Sequence, residues 1–289
     1  MSAPDSISTM SLARRLGGVS IAAVITSAGV LSGCGDESEP AQQAQACEPA
    51  ADERGRPYAC IAGAVTSEDG EPVAKVKIAA CTSETCIIGT TQDDGTYNVQ
   101  RLPVEPHKVE VFGAMKGFMT LAFFQDVIPG ELARASRTLI LPRQTNAAVA
   151  WLPADGGTVE LAEGKLVFDA EPGTLRYLVG TPEAEMLVEA VEVPVKNLVP
   201  YDTEPWKGKE SKSTAFVVNP FPLTASKSVD LTIKGAGATA NALYTLYAAH
   251  STTGELEEAG ILVGAANGDL VLQPGATLTH LTTLVVVPN

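Results

Sequence analysis

Beyond residue 57 the chain repeats one pattern: short runs of alternating apolar and polar residues, closed by Gly, Pro or Asp turn signals, as expected for antiparallel strands. Residues 61–67 end at Glu68-Asp69-Gly70. In 73–80, Val76 and Ile78 share one face while Lys75 and Lys77 take the other. The run 87–91 reaches Asp93-Asp94-Gly95, after which Tyr97 and Val99 point inward; 108–112 and 138–141 are further strands. Asp-Gly turns supply the positive φ that tight hairpins need. After the polar joint Gln144-Thr145-Asn146, the cleanest strand is 228–234, where Val229, Leu231 and Ile233 alternate with Asp230, Thr232 and Lys234. Runs at 164–170, 216–218, 242–249, 260–263, 269–272 and 277–287 follow. The pattern predicts an all-β protein of two domains, 57–143 and 146–289, and in the second the spacing suggests an antiparallel β-sandwich.

The first 56 residues read differently. Arg14-Arg15 precedes an apolar stretch, 16–31, that is short and glycine-broken for a membrane span and suits the core of a signal peptide. Leu31-Ser32-Gly33-Cys34 closes it. These four residues resemble the bacterial lipobox, which implies a signal peptide over 1–33, cleavage before Cys34 and a diacylglyceryl group on its thiol. Each buried CH₂ of such chains adds about 0.8 kcal/mol of membrane affinity, so several chains on one cysteine hold a protein durably. An uncleaved anchor helix and a twin-arginine export signal are the rival readings; the residues around Arg14-Arg15 fit the latter poorly. Gly35, rather than Asp, after the cysteine favours the outer membrane, by resemblance to lipoprotein sorting, although Asp36 follows. Residues 34–56 carry almost no large apolar side chain and cannot offset their ordering entropy, so they are expected to be a flexible tether.

Charge narrows the partners. The whole chain carries −14; losing Arg14, Arg15 and Asp5 with the signal peptide leaves −15. Such a surface repels phosphate backbones, so nucleic acid is excluded as a partner. Aromatic residues make up 5% of the chain, too few for a broad aromatic binding platform.

Four cysteines follow Cys34, an even number that in an exported chain suggests two disulfides with three possible connectivities. Cys81 and Cys86 bracket Thr-Ser-Glu-Thr between apolar runs and could clasp a hairpin; Cys47 would then tie the tether to Cys60. A four-cysteine zinc site would lack any paired C-x₂-C knuckle.

The residues Gly63-Ala64-Val65, then Gly70-Glu71-Pro72-Val73-Ala74-Lys75-Val76, then the stretch from Thr91 through Asp93-Asp94-Gly95 to Tyr97-Asn98-Val99, then Leu102-Pro103 and Val109-Glu110-Val111, resemble the carboxypeptidase regulatory-like family in content and order. The resemblance implies a transthyretin-like β-sandwich and an accessory module, not a reaction. His107-Lys108-Val109-Glu110 mimics an H-x-x-E zinc pair. In a strand, however, residues three apart face opposite sides, so His107 would lie with Val109 and Val111 and Glu110 would point away. No metal is expected. A Lys–Asn isopeptide crosslink is not supported either, since residues 137–143 contain no asparagine.

In the second half, Gly156-Gly157-Thr158-Val159, Lys165-Leu166-Val167-Phe168, Glu171-Pro172-Gly173-Thr174-Leu175 and Phe216-Val217-Val218-Asn219-Pro220 loosely resemble the opening of ZU5-like β-sandwich domains. That resemblance implies interaction and scaffolding, with self-cleavage in some relatives. His250-Ser251 fits the cleavage dipeptide, but a dipeptide alone does not carry the reaction, and a turn pair is the simpler reading. Trp206, in the polar loop 201–213, is a possible ligand contact if exposed; its alternative is to pack on the sandwich rim. No G-x-S-x-G, H-E-x-x-H or phosphate-binding loop occurs. The expected function is therefore that of a membrane-anchored envelope protein, without cofactor or catalytic residues, binding an envelope protein or glycan or serving as a scaffold. The alternatives are an envelope hydrolase or accessory subunit acting on peptides or glycans, and a structural spacer.

Overall fold

The computed structural model describes residues 51–129, 138–177 and 185–289, all within one compact unit. The lipobox, Cys34 and Cys47 lie outside the described residues. The fold is nearly all β, with short 3₁₀ turns between strands.

The first half is a two-layer sandwich. Strands β1 (Ala59–Ser67), β4 (Thr96–Leu102) and β7 (Leu139–Leu141) form one sheet in the order β4-β1-β7. Strands β2 (Lys77–Cys81), β3 (Cys86–Thr90), β5 (His107–Phe112) and β6 (Leu121–Gln125) form the other, β3-β2-β5-β6. Ile61, Val65, Ile78, Val99, Val109, Val111, Leu121 and Phe123 meet between the layers. The Asp-Gly turn before β4 is compulsory at Gly95, whose φ is +77° and whose absent Cβ would stand 2.6 Å from the Val65 carbonyl oxygen. At the tip of the β2–β3 hairpin Cys81 and Cys86 face each other in register and form the expected disulfide, closing the turn in which the Thr82 hydroxyl accepts the N–H groups of Glu84 and Thr85. Cys60 is buried and is itself disulfide-bonded.

The second half is dominated by one ten-stranded sheet, whose order is β8-β12-β13-β19-β16-β17-β18-β15-β10-β9. These strands are β8 (Val149–Trp151), β9 (Gly157–Leu161), β10 (Leu166–Ala170), β12 (Met186–Val193), β13 (Thr214–Asn219), β15 (Asp230–Ile233), β16 (Leu243–Ala249), β17 (Leu256–Gly264), β18 (Leu270–Leu272) and β19 (Thr283–Pro288). A two-stranded sheet, β11 (Leu175–Tyr177) with β14 (Leu223–Ala225), adds to it. The large sheet curls until its two ends approach: Trp151 of β8 stacks on Phe168 of β10, with centroids 6.5 Å apart. Leu166, Phe168, Val188, Phe216, Leu246 and Leu284 fill the enclosed core.

The two halves are not separate beads. Strands β13 and β19 are buried on both faces: Phe216, Val218, Leu284 and Val286 face the enclosed core, while Ala215, Val217, Val285 and Val287 join the core of the first sandwich. Apolar residues without alternation, as in Leu284-Val285-Val286-Val287, are the pattern of two-sided burial.

Three sequence expectations change. The 73–80 run is a strand only from Lys77; Lys75 upstream has φ +60°, outside strand geometry. The run at 277–287 yields a strand only from Thr283, because 277–282 forms a separate segment bridged to β14 through Thr224 and His280. Trp206, taken as a possible exposed ligand contact, is 1% exposed and belongs to the shared core. A side chain with no free surface cannot anchor a ligand, and the indole packs inward instead.

Candidate functional site at the junction

Three segments build the junction. The first is β6, whose apolar residues serve two faces: Leu121 and Phe123 enter the first sandwich, and Ala122 and Phe124 meet the second half. The second is the crossover 194–213, which returns under the large sheet and places Val195, Leu198, Tyr201 and Trp206 in the shared core. The third is the loop 250–254 between β16 and β17.

Polar groups fix their register. The Tyr201 hydroxyl donates to the Ala122 carbonyl at 2.6 Å and lies 2.8 Å from the Thr283 hydroxyl, which, since a carbonyl only accepts, donates in turn to Tyr201. Its ring meets Phe123 edge to face at 6.2 Å. Burial pushes the Tyr201 phenol well above its ordinary pKa, so it stays a donor at every physiological pH. Asn219 spans the halves as well: its Oδ1 accepts the Thr120 N–H at 3.3 Å, and its amide nitrogen lies 3.4 Å from the Met119 sulfur. Lys108 and Glu110, on the outward face of β5, pair at 2.6 Å with side chains only 17% and 12% exposed. The Lys108 ammonium also donates to the Ser251 carbonyl at 3.2 Å and sits 5.5 Å from the centre of the Phe221 ring. Finally the Phe124 N–H donates to the Gly254 carbonyl at 3.0 Å. Gly254 has φ +79°, and a Cβ there would stand 2.4 Å from the Phe123 carbonyl carbon, so only glycine allows this approach.

Beside these contacts lies a cleft of about 400 Å³. Its walls include Phe124 and Tyr201, and its rim carries Asp126, Asp202, Glu255 and Glu257. The field there is negative and suits a cationic group better than an anionic one.

Next to the cleft, but not lining it, His250 and His280 pack with ring centroids 4.1 Å apart. The Ser251 hydroxyl lies 3.1 Å from His280 Nδ1, and the Ser251 N–H donates to the same nitrogen at 3.3 Å. The N–H groups of Thr252 and Thr253 donate to His250 Nδ1 at 3.2 and 3.3 Å. Burial first, then the neighbouring His250, lowers the pKa of His280. A serine on an imidazole resembles a nucleophile with its base. Here, though, the ring nitrogen already takes a backbone proton, and Ser251 is 7% exposed. The arrangement satisfies the backbone donors of a turn, and His250-Ser251 is that turn's opening pair.

The remaining sequence candidates are placed as follows. His107 lies with Val109 and Val111, opposite Glu110; its Nδ1 contacts the Glu105 carbonyl at 2.7 Å, and burial lowers its pKa. Among the described residues no three His, Cys, Asp or Glu side chains gather in a metal-binding group, and no helix is long and apolar enough to cross a membrane. The cleft carries no motif of its own, and the histidine turn shows in the sequence only as the pair His250-Ser251. The one available signal was the two-sided apolar run of β19, which announces that something covers the outer face of the sheet.

No family model matches the chain, and no curated protein matches it. Among solved structures, the Bacillus anthracis TIE protein is similar at 12% identity and TM-score 0.27, over 75% of this chain. This chain spans 44% of that protein. A DUF3823 family protein from Bacteroides ovatus is similar at 11% identity and TM-score 0.24, over 76% of this chain and 84% of the other. Values this low support no argument about fold or function.

Proposed function

We propose that this protein is a lipid-anchored envelope protein, attached through Cys34 with the outer membrane favoured, and that it works by binding or scaffolding rather than by catalysis. The first sandwich is read as a carboxypeptidase regulatory-like accessory module; its motif order and its layers of three and four strands support that reading. The observation that carries the proposal is the shared core. Two sandwiches joined through Tyr201, Trp206, Val217 and Val285 form one body, which suits presenting a surface to a partner. The cleft at the joint agrees with this: its walls are aromatic and its rim carboxylate, while Ser251 and His280 lie off its lining. A partner protein or glycan bearing positive charge fits such a rim.

Two measurements test the proposal in cells. The mature N-terminal peptide is expected to carry two or three acyl chains on Cys34 and to partition into detergent; Cys34→Ala should release the protein in soluble form. A photo-crosslinking residue at Glu255, on the cleft, is expected to give a discrete adduct that one at Thr158, on the far edge strand β9, does not give. Equal labelling at both positions, or none, removes the cleft as the binding surface. Turnover of peptidoglycan or peptide substrates by purified protein would replace binding with hydrolysis.

A further inference from the structure

We propose that the loop 250–254 is an acid-released latch, in which two neutral histidines hold the joint between the sandwiches closed. The geometry begins with three consecutive backbone donors. The N–H of Ser251 ends on His280 Nδ1, and the N–H groups of Thr252 and Thr253 end on His250 Nδ1. A backbone N–H can only donate, so both Nδ1 atoms must be acceptors and both rings carry their proton on Nε2. Protonating either ring places an N–H where an acceptor is needed, and the turn loses its cap. Protonating both also sets two cations side by side, in rings tilted by 52° with centres 4.1 Å apart.

The same loop holds the first sandwich. The Gly254 carbonyl accepts the Phe124 N–H, the Ser251 carbonyl accepts the Lys108 ammonium, and the Gly254 backbone lies flat against β6. Opening the turn therefore frees the Phe124 N–H and the Lys108 ammonium beside the cleft, while β5, Tyr201 and the shared core keep β6 in place.

The surrounding charges do not cancel the effect. From β17, Glu257 favours a protonated His280, and Glu255, at the end of the loop, adds negative charge nearby. From β5, Lys108 opposes a further cation and is paired with Glu110. From β14, Thr224 reaches His280 through a backbone bridge and brings no charge; the Arg176 guanidinium of β11 turns away to the carbonyls of Gly173 and Leu175. Burial dominates at His280, whose folded pKa lies below its unfolded value. The unfolded loop then binds the extra proton first, so the stability of the latch is full above about pH 6.5 and falls as the pH drops below it.

Hydrogen exchange at about pH 7.5 and about pH 5, each corrected for the intrinsic rate, reads this directly on the whole mature protein. At the lower pH protonation of His280 in the opened loop favours opening by up to about 30-fold. Protection at residues 251–254 and at Phe124 is expected to fall by about tenfold or more, while β15 and β18 keep theirs. Asparagine places an oxygen where Nδ1 stood and does not titrate, so His250→Asn with His280→Asn should show the same protection at both pH values. Unchanged protection in the wild type overturns the latch, and so does an equal loss in the double variant. Should that variant not fold, the imidazole ¹⁵N shifts of the wild type decide: rings still neutral at about pH 5 with the loop open overturn the proposal, and rings that titrate together with the loss of the Thr252 and Thr253 amide bonds support it.

Discussion

Two stretches of the ten-stranded sheet show opposite solutions to the same problem. At the β9–β10–β15–β18 end, strands alternate and the outer face meets water: Thr232 and Val271 pair across β15 and β18, and Val271 is 43% exposed. Leu243, in register with Val263 on the same outward row, is 50% exposed. At β13 and β19, inside the sheet, the outer face disappears under the crossover and the first sandwich, and the strand centres are apolar on both faces. One sheet thus contributes to two cores. The lesson is that the boundary expected at the 144–146 joint divides the chain but not the hydrophobic core.

The sharpest way to break that comparison is to hollow out the junction. Trp206→Ala is expected to cost about 3–5 kcal/mol, as much as Phe168→Ala in the enclosed core, measured by urea unfolding. A cost near that of a surface residue would mean that the crossover is a rim ornament. Gly254→Ala adds a methyl group against the β6 backbone at a left-handed position, with an expected loss of about 2–4 kcal/mol. That loss should be accompanied by faster exchange of the Phe124 amide. Tyr201→Phe keeps the ring and removes the hydroxyl between Ala122 and Thr283; about 1–3 kcal/mol is expected from the acceptor and donor left behind. At the open end of the sheet, Val271→Thr should stay within about 0.5 kcal/mol in the same unfolding assay. If it equalled Trp206→Ala, the outer face at β18 would be covered too.

Much of the fold was legible because alternation reports directly on one-sided burial. Val229, Leu231 and Ile233 point inward as read, as do Tyr97, Val99 and the His107 face of β5. The Cys81–Cys86 clasp was legible because four polar residues between two apolar runs leave a hairpin as the simplest geometry. Strand β6 was missed for the opposite reason. Leu121-Ala122-Phe123-Phe124 does not alternate, since both of its faces are covered, and a short unbroken apolar run is ambiguous to any periodicity test. The place of Trp206 stayed open in the sequence because most of its neighbours in 201–213 are polar; the structure takes the inward alternative, burying the indole together with Tyr201. The pairing of the His250-Ser251 turn with His280 was not legible because the two histidines are thirty positions apart and meet only after the chain has run through β17 and β18. Local sequence reports what a residue prefers; the junction is made of residues whose partners lie in the other half.

Scanning calorimetry of the mature wild-type protein at about pH 7.5 tests the shared core most directly. A single transition is expected, with equal van't Hoff and calorimetric enthalpies, because neither sandwich can unfold without exposing the apolar face of the other. Two resolved transitions would contradict it, showing that the halves are independent domains touching at a surface.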